Sequence, residues 1–394
     1  MLIAAPSVLT AESEADPVPG NWVFVDGGTI AQVGRGTAPG TADVELPDGV
    51  LVPGLVDVQI NGYYGVEFQL ADADSWDSVA QRLPETGTTA FMPTMITAPV
   101  GEISTALRRA AAFVPDLARG ARVLGVHVEG PFISPIRRGA HNPAFIVAPK
   151  PDDVSELITA GAGVLRILTI APEVPGALAA ISQLTRAGVL CSVGHSDATA
   201  DQVARAATAG ARMVTHLYNA QRPFGHREPG VVGRALTDKR LTSGFILDLR
   251  HTVAAACQIA FAAAPGRIAL VTDAAACAGM PPGEYLLGGE PITLPPGDGE
   301  PPIRADGTLA GSALRLDRAV ANAVSCGVPI ATAVAAATRV PADLISRPDL
   351  GRLAPGAAAD MVWLSQELTT KATWIAGQLV YTDGAAATLA AVHA

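Results

Sequence analysis

The chain lacks a long apolar run, a paired-cysteine motif, a basic cluster and a repeat, and each absence excludes a class of protein. Its four cysteines, Cys191, Cys257, Cys277 and Cys326, show no Cys-x-x-Cys spacing and sit in apolar or alanine-rich surroundings. That pattern fits buried, reduced thiols better than a disulfide framework. Only Cys277, close behind Asp273, is placed to be reactive. The apolar stretch from Val253 to Pro265 is too short and too interrupted to span a bilayer, and Met1 to Pro6 lacks the basic residues that open a secretion signal. The expected location is the cytoplasm. Net charge is −10, with Lys and Arg spread along the chain, which argues against a nucleic-acid or anionic-membrane partner. Any anionic substrate must be held by a local pocket. The 40 Gly and 31 Pro are scattered as turn punctuation, without a low-complexity tract.

What is present centres on Val189 to Ala220. Two short apolar runs there each deliver a histidine, Val-Leu-Cys-Ser-Val-Gly-His195-Ser and Arg-Met-Val-Thr-His216-Leu-Tyr-Asn-Ala, with an alanine-rich helical segment, Asp197 to Gly210, between them. A parallel strand-helix-strand unit brings successive strand ends to one side of a sheet, so the two imidazoles can meet.

Strand signals recur near 51–59, 88–95, 122–129, 164–170, 189–195, 212–216, 242–248 and 268–273, with helical segments between most of them. Eight such units suit a (β/α)8 TIM-type barrel, for which about 250 residues is typical; a doubly wound open sheet is the rival. The polar residues favour the barrel. Gln59, Asn61, Glu129, Glu173, His195, His216, His251 and Asp273 all fall at or just after C-terminal strand ends, where barrel enzymes place their chemistry. Residues 1–50 carry a hairpin around Asp26-Gly27-Gly28, and 351–394 again read as strands, so both termini are expected to form one small β-sandwich beside a catalytic barrel over 51–350.

His195, His216 and Glu129 form a His2Glu set of the kind that holds a catalytic divalent metal with one position open. As core residues they would be hydrogen-bonded packing, but three on separate strand ends favour a metal, and a carboxylate buried after Gly-Val-His-Val is costly unpaired. His127 lies one layer deeper and reads as structural; His393, in the tail, reads as inert. Asp273 is either a general acid/base or the N-cap of a following helix. The loop Pro131 to Pro143, with Arg137, Arg138 and His141, reads as an active-site flap or a solvated connector. Arg227 either binds an anion or pairs with Glu228.

Pro53-Gly-Leu-Val-Asp57-Val-Gln59-Ile-Asn61-Gly, His127-Val-Glu129-Gly-Pro-Phe, Gly139-Ala-His141-Asn-Pro, Gly194-His195-Ser, Thr215-His216-Leu-Tyr-Asn219-Ala220, Arg227-Glu-Pro-Gly and Val271-Thr-Asp273-Ala together resemble the N-acetylglucosamine-6-phosphate deacetylase family, a branch of the amidohydrolases. Gly307-Thr-Leu-Ala-Gly311-Ser312 and Gly351-Arg-Leu-Ala-Pro-Gly-Ala-Ala-Ala-Asp360 extend the likeness over nearly the whole chain.

The resemblance implies hydrolysis of the N-acetyl group of a phosphorylated amino sugar. Glu129, His195 and His216 would bind the metal, Asp273 would be the acid/base, and His141 would stabilise the oxyanion. Substrate contacts would be Ala140, His141, Asn219, Ala220, Arg227, His251, Ala310, Gly311 and Ser312. A homodimer is implied as well. Relatives with two metals carry His-x-His after strand one and a bridging lysine after strand four; here those positions read Gln59-Ile60-Asn61 and Arg166-Ile-Leu-Thr-Ile-Ala-Pro-Glu173. One zinc per chain is therefore expected. Two departures bear on sugar fit: Tyr63-Tyr64, expected to narrow the mouth, and Asp248-Leu249-Arg250-His251, where the family has Asp-Gly-x-His. The alternatives are an amidase acting on a related N-acylated amino sugar and a non-catalytic sugar-phosphate binder.

Overall fold

Both ends of the chain contribute to one small domain. The computed structural model describes residues 1–12, 22–117 and 119–384; the expectations for His393 and for the chain beyond 384 lie outside them. Strands β1 (Leu2–Ala4), β2 (Trp22–Asp26), β3 (Thr29–Gly34) and β4 (Val44–Glu45) form one sheet in the order β3-β2-β1-β4. The β2–β3 turn is the Asp-Gly-Gly hairpin expected: Asp26 faces Thr29, and Gly27 and Gly28 take φ of +53° and +82°, as a tight twisted hairpin needs.

The run read as one strand over 51–59 is divided at Gly54. Strand β5 (Val50–Pro53) pairs antiparallel with Met361–Leu364, while β6 (Leu55–Ile60) enters the barrel. Gly54 donates its N–H to Asp360 O at 2.8 Å, and a side chain there would run into Thr89. An apolar run carries no mark of that change of partner.

After a small hairpin, β7 (Gly62–Tyr63) with β8 (Val66–Glu67), the barrel continues through β9 (Thr88–Ile96), its neighbour β10 (Arg122–Val123), β11 (Val126–Glu129), β12 (Leu165–Ile170), β13 (Leu190–Val193), β14 (Met213–Val214), β15 (Thr242–Ile246) and β16 (Ile268–Val271). The parallel order is β6-β9-β11-β12-β13-β14-β15-β16. The seam closes where Asp273 N donates to Gln59 O at 2.9 Å and Asn61 N to Ala274 O at 2.8 Å. It is the expected (β/α)8 barrel, with β6, β9, β11 and β16 buried along their whole length because helices cover the outside and side chains fill the inside.

The helices present one apolar stripe inward, as in Val100–Phe113, where Ile103, Ala106, Leu107 and Ala110 are buried at helical spacing. The helix between the two histidine strands runs Ala200–Ala209, later than the expected start at Asp197. Ser196 and Asp197 are held in a turn by Glu173, and Thr199 with Gln202 forms the capping box that starts the helix.

Beyond β16 the hairpin β17 (Gly283–Leu287) with β18 (Glu290–Leu294) brings Leu287 to the mouth of the barrel. Strands β19 (Met361–Leu364), β20 (Thr370–Ile375) and β21 (Gln378–Thr382) then join β5 in the order β21-β20-β19-β5. The core between the two terminal sheets includes Ile3, Val23, Ile30, Leu51, Met361 and Trp374. Arg122 ties the barrel to this domain through an ion pair with Asp360. Among the described residues no helix is long and apolar enough to cross a membrane.

Candidate metal centre and active site

Four side chains converge at the C-terminal mouth of the barrel. Glu129 is the last residue of β11, and His195, His216 and Asp273 each lie two residues past the ends of β13, β14 and β16. His195, His216 and Asp273 have φ of +47°, +28° and +51°, left-handed conformations that side chains rarely adopt and that concentrate at functional sites. Gly194 permits the close approach before His195: a Cβ there would meet Thr215 Cβ at 2.6 Å.

Glu129 Oε1 lies 3.2 Å from His195 Nε2 and 3.0 Å from His216 Nε2, and the two Nε2 atoms are 3.1 Å apart. Metal–ligand bonds of ~2.0–2.1 Å in a tetrahedron give ligand separations of about 3.3 Å, so the triad has the dimensions of a cation site. Protonation agrees. His195 Nδ1 lies 3.0 Å from Arg137 O, which can only accept, so Nδ1 carries the proton and Nε2 turns a lone pair toward the carboxylate. His216 Nδ1 is buried without a partner. Burial pushes Glu129 up, but the two histidines beside it more than reverse this and hold it well below the carboxylate range.

One ligand atom each from Glu129, His141 and His195 also lie within 4.8 Å of one another. His141 is the weaker third member. Its Nδ1 accepts from Thr97 N–H at 3.3 Å, and burial lowers its pKa well below the usual value. A neutral ring with an accepting Nδ1 carries its proton on Nε2, which makes it a donor rather than a ligand.

Asp273 is not a helix cap. Its Oδ1 accepts from Gln59 Nε2 at 3.0 Å and Asn61 Nδ2 at 2.7 Å, and the Gln59 amide also donates to Glu129 Oε1 at 3.2 Å. The amide oxygens of Gln59 and Asn61 are buried without partners. These amides therefore serve the two carboxylates as donors. Burial, with the charge of Glu129, raises Asp273 to about 6. Deeper in the barrel, burial lowers His127 to about 4, and its ring bonds Thr169 Oγ1 at 2.7 Å, in keeping with a structural role.

A cavity of about 240 Å³ opens on this centre. Of the residues expected from the sequence, Glu129, Ala140, His141, His195, His216, Asn219, Ala220, His251, Asp273 and Gly311 line it. Ala310, Ser312 and Arg227 do not. Ala310 is fully buried, and Ser312 braces the Asp273 turn, donating from Oγ to Thr272 O at 2.6 Å and from N to Asp273 O at 2.8 Å. Arg227 is exposed and does not pair with Glu228, whose carboxylate takes the N–H groups of Ala200 and Gly230. Asn61, Ile96, Gly139, Ile246, Leu287, Thr308 and Leu309 complete the wall; sequence reasoning missed the apolar ones, which look like core.

Other expectations are corrected. Tyr63 does not narrow the mouth: it is 1% exposed and donates to Leu314 O at 3.5 Å, while Tyr64 bonds Glu85 and stacks under Arg82. Glu173 stands outside the cavity, accepting from Ser196 and Asp197. Arg137 pairs with Asp197 at 2.8 Å, so it is no solvated residue. Cys277 is fully buried and burial raises its thiol to about 11, which leaves it unreactive. Leu249 takes φ +62° where glycine would be relaxed, while Asp248 holds the His251 ring at 2.6 Å and Arg250 reaches out to Glu300.

A closed parallel barrel with two imidazoles, a carboxylate and a second carboxylate held by two amide donors at its C-terminal mouth defines a metal-dependent barrel hydrolase. The chain belongs to the amidohydrolase family, whose model matches residues 50–380. It is 38% identical over 339 residues to N-acetylgalactosamine-6-phosphate deacetylase of Escherichia coli O157:H7, covering 86% of this chain and 88% of that one. It is 36% identical over 356 residues to N-acetylglucosamine-6-phosphate deacetylase of Danio rerio, covering 86% of each. Among solved structures, a mutant N-acetyl-D-glucosamine-6-phosphate deacetylase from Mycobacterium smegmatis, in complex with N-acetyl-D-glucosamine-6-phosphate, superposes with a TM-score of 0.91 at 35% identity, covering 97% of this chain and 99% of that one.

Proposed function

We propose that this chain hydrolyses N-acetylglucosamine 6-phosphate to glucosamine 6-phosphate and acetate. The observation that carries the reading is the triad of Glu129, His195 and His216, flanked by Asp273 and His141 in one cavity. Two imidazoles and one carboxylate suit a single zinc ion. A cation held there supplies Lewis-acid polarisation and acidifies water.

The remaining steps belong to side chains. With Oδ1 engaged by Gln59 and Asn61, Asp273 keeps its other oxygen for a proton. It takes one from the attacking water and returns it to the departing amine nitrogen as the amide bond breaks. The Nε2–H of His141 donates to the oxyanion that develops on the acetyl carbonyl. Ala140, Asn219, Ala220, His251 and Gly311 contact the sugar phosphate. Arg227, off its own cavity, fits a homodimer in which it reaches the phosphate in a second copy; Phe224, three residues before it and 61% exposed, gives that loop apolar surface. Four buried free thiols agree with a cytoplasmic setting.

Acetate release should be compared for N-acetylglucosamine 6-phosphate, N-acetylgalactosamine 6-phosphate and unphosphorylated N-acetylglucosamine. The first is expected to give the highest kcat/KM. Preference for the galactosamine compound would reassign the sugar, and equal use of the unphosphorylated sugar would remove the phosphate from the account.

A further inference from the structure

His195 is oriented by Arg137 in two ways at once. The Arg137 carbonyl accepts from His195 Nδ1 at 3.0 Å, and the Arg137 side chain reaches Asp197, two residues past the histidine, with Nε 2.8 Å from Oδ1. The second carboxylate oxygen of Asp197 takes Arg222 NH2 at 2.8 Å, and Arg222 Nε donates to Asp197 O at 2.7 Å. Arg222 also donates its own N–H to Ser196 O at 3.0 Å, and Ser196 N donates to Ala220 O at 3.1 Å. One carboxylate thus joins the loop after β11, which carries Ala140 and His141, to the loop after β14, which carries Asn219 and Ala220. None of Arg137, Asp197 and Arg222 lines the cavity.

We infer that Asp197, acting through Arg137 and Arg222, is the positioning residue that fixes His195 as a metal ligand and holds the two cavity loops in register. The inference rests on the metal site read above. A histidine ligand needs its distal nitrogen bonded so that the lone pair of the other is fixed in direction. Here the acceptor is a main-chain carbonyl at the end of a short turn, Pro135–Arg137, and a carbonyl on such a turn is only as fixed as the turn. Ser134 N donates to His195 O at 2.9 Å at the start of that turn, and the Arg137–Asp197 pair secures its end. Side-chain exposures of 29%, 21% and 34% for Arg137, Asp197 and Arg222 place the pairs below open solvent, where screening is weaker. The next carbonyl, Arg138 O, accepts from His141 N at 3.0 Å, so the turn also sets the proposed oxyanion donor.

The test is zinc affinity by competition with a chromophoric chelator, on metal-stripped wild type, Asp197→Asn, Arg137→Gln and the double variant, with the melting temperature of each metal-free protein beside it. Loss of a partner behind a metal ligand typically weakens binding ~10–100-fold. Both single variants are expected to lose about tenfold, with metal-free melting within a few degrees of wild type and no further loss in the double variant, because the two side chains act as one unit. A loss below fivefold in either, or a double variant whose loss is the product of the singles, overturns the inference. Should Asp197→Asn fail to fold, Arg137→Gln alone decides by the same fivefold line. Wild type that takes up no zinc would sink the metal reading itself, a result distinct from wild type that binds and variants that bind equally well.

Discussion

Replacing Asn61 by leucine should move the acidic limb of the pH–rate profile upward by one to two units. The Asn61 amide lies 2.7 Å from Asp273 Oδ1 and helps to hold down a carboxyl that burial has raised to about 6. A hydrogen bond to a charged group contributes about 1.5–3 kcal/mol, and ~1.4 kcal/mol corresponds to one pKa unit, so losing it raises Asp273 by about one to two units. Leucine keeps the branching of asparagine at Cγ but cannot donate, and the amide oxygen it removes has no partner. The sign follows from the role: a base works deprotonated, and a raised pKa means activity is lost sooner as pH falls. The substrate phosphate ionises near ~6 as well, but equally for both proteins, so the displacement between wild type and variant carries the test. The assay is kcat at saturating substrate from pH 5 to 9. A limb that stays within 0.3 unit or so of wild type, or moves down, would refute Asp273 as the group that titrates.

Asp273→Asn should keep the bonds from Gln59 and Asn61 by turning its oxygen to them, yet present N–H groups where a base must accept; a loss of ~10²–10⁴ in kcat is expected, and turnover within a few-fold of wild type would exclude the assignment. Arg227→Ala should lower kcat/KM on the phosphorylated sugar by roughly 10- to 100-fold, the worth of a charge-assisted contact, with little effect on the unphosphorylated one; equal losses would move phosphate binding elsewhere. Gly194→Ala should destabilise by about 1–3 kcal/mol, because its Cβ would press on Thr215 and Thr169, and an unchanged denaturation midpoint would show that β13 and β14 can part without cost.

Much of this centre is legible in the sequence because a barrel strand announces its functional end: an apolar run stops at a polar residue, as at Glu129, His195, His216 and Asp273. Gln59 and Asn61 stand out for the same reason, though not the direction of their amides, which is fixed only by carboxylates 70 and 214 residues away from Gln59. The less legible parts share a cause. Ile96, Ile246 and Leu287 line the cavity but read as core, since a cavity wall and a core differ only in what faces them. Tyr63 reads as a mouth residue and is packed inside. The break at Gly54 is hidden because both halves of 50–60 are apolar and only their partners differ. Asp197 reads in sequence as the start of a helix, and its two arginines come from loops 60 and 25 residues away.

The central claim is deacetylation at a single cation site, and titrating metal-stripped protein with zinc while measuring acetate released from N-acetylglucosamine 6-phosphate tests it most directly. The amides of Gln59 and Asn61 are poor substitutes for the imidazoles a second ion would need. Activity is predicted to rise linearly and break at one equivalent per chain. A break at two equivalents, or no acetate release at any zinc level, would contradict the account.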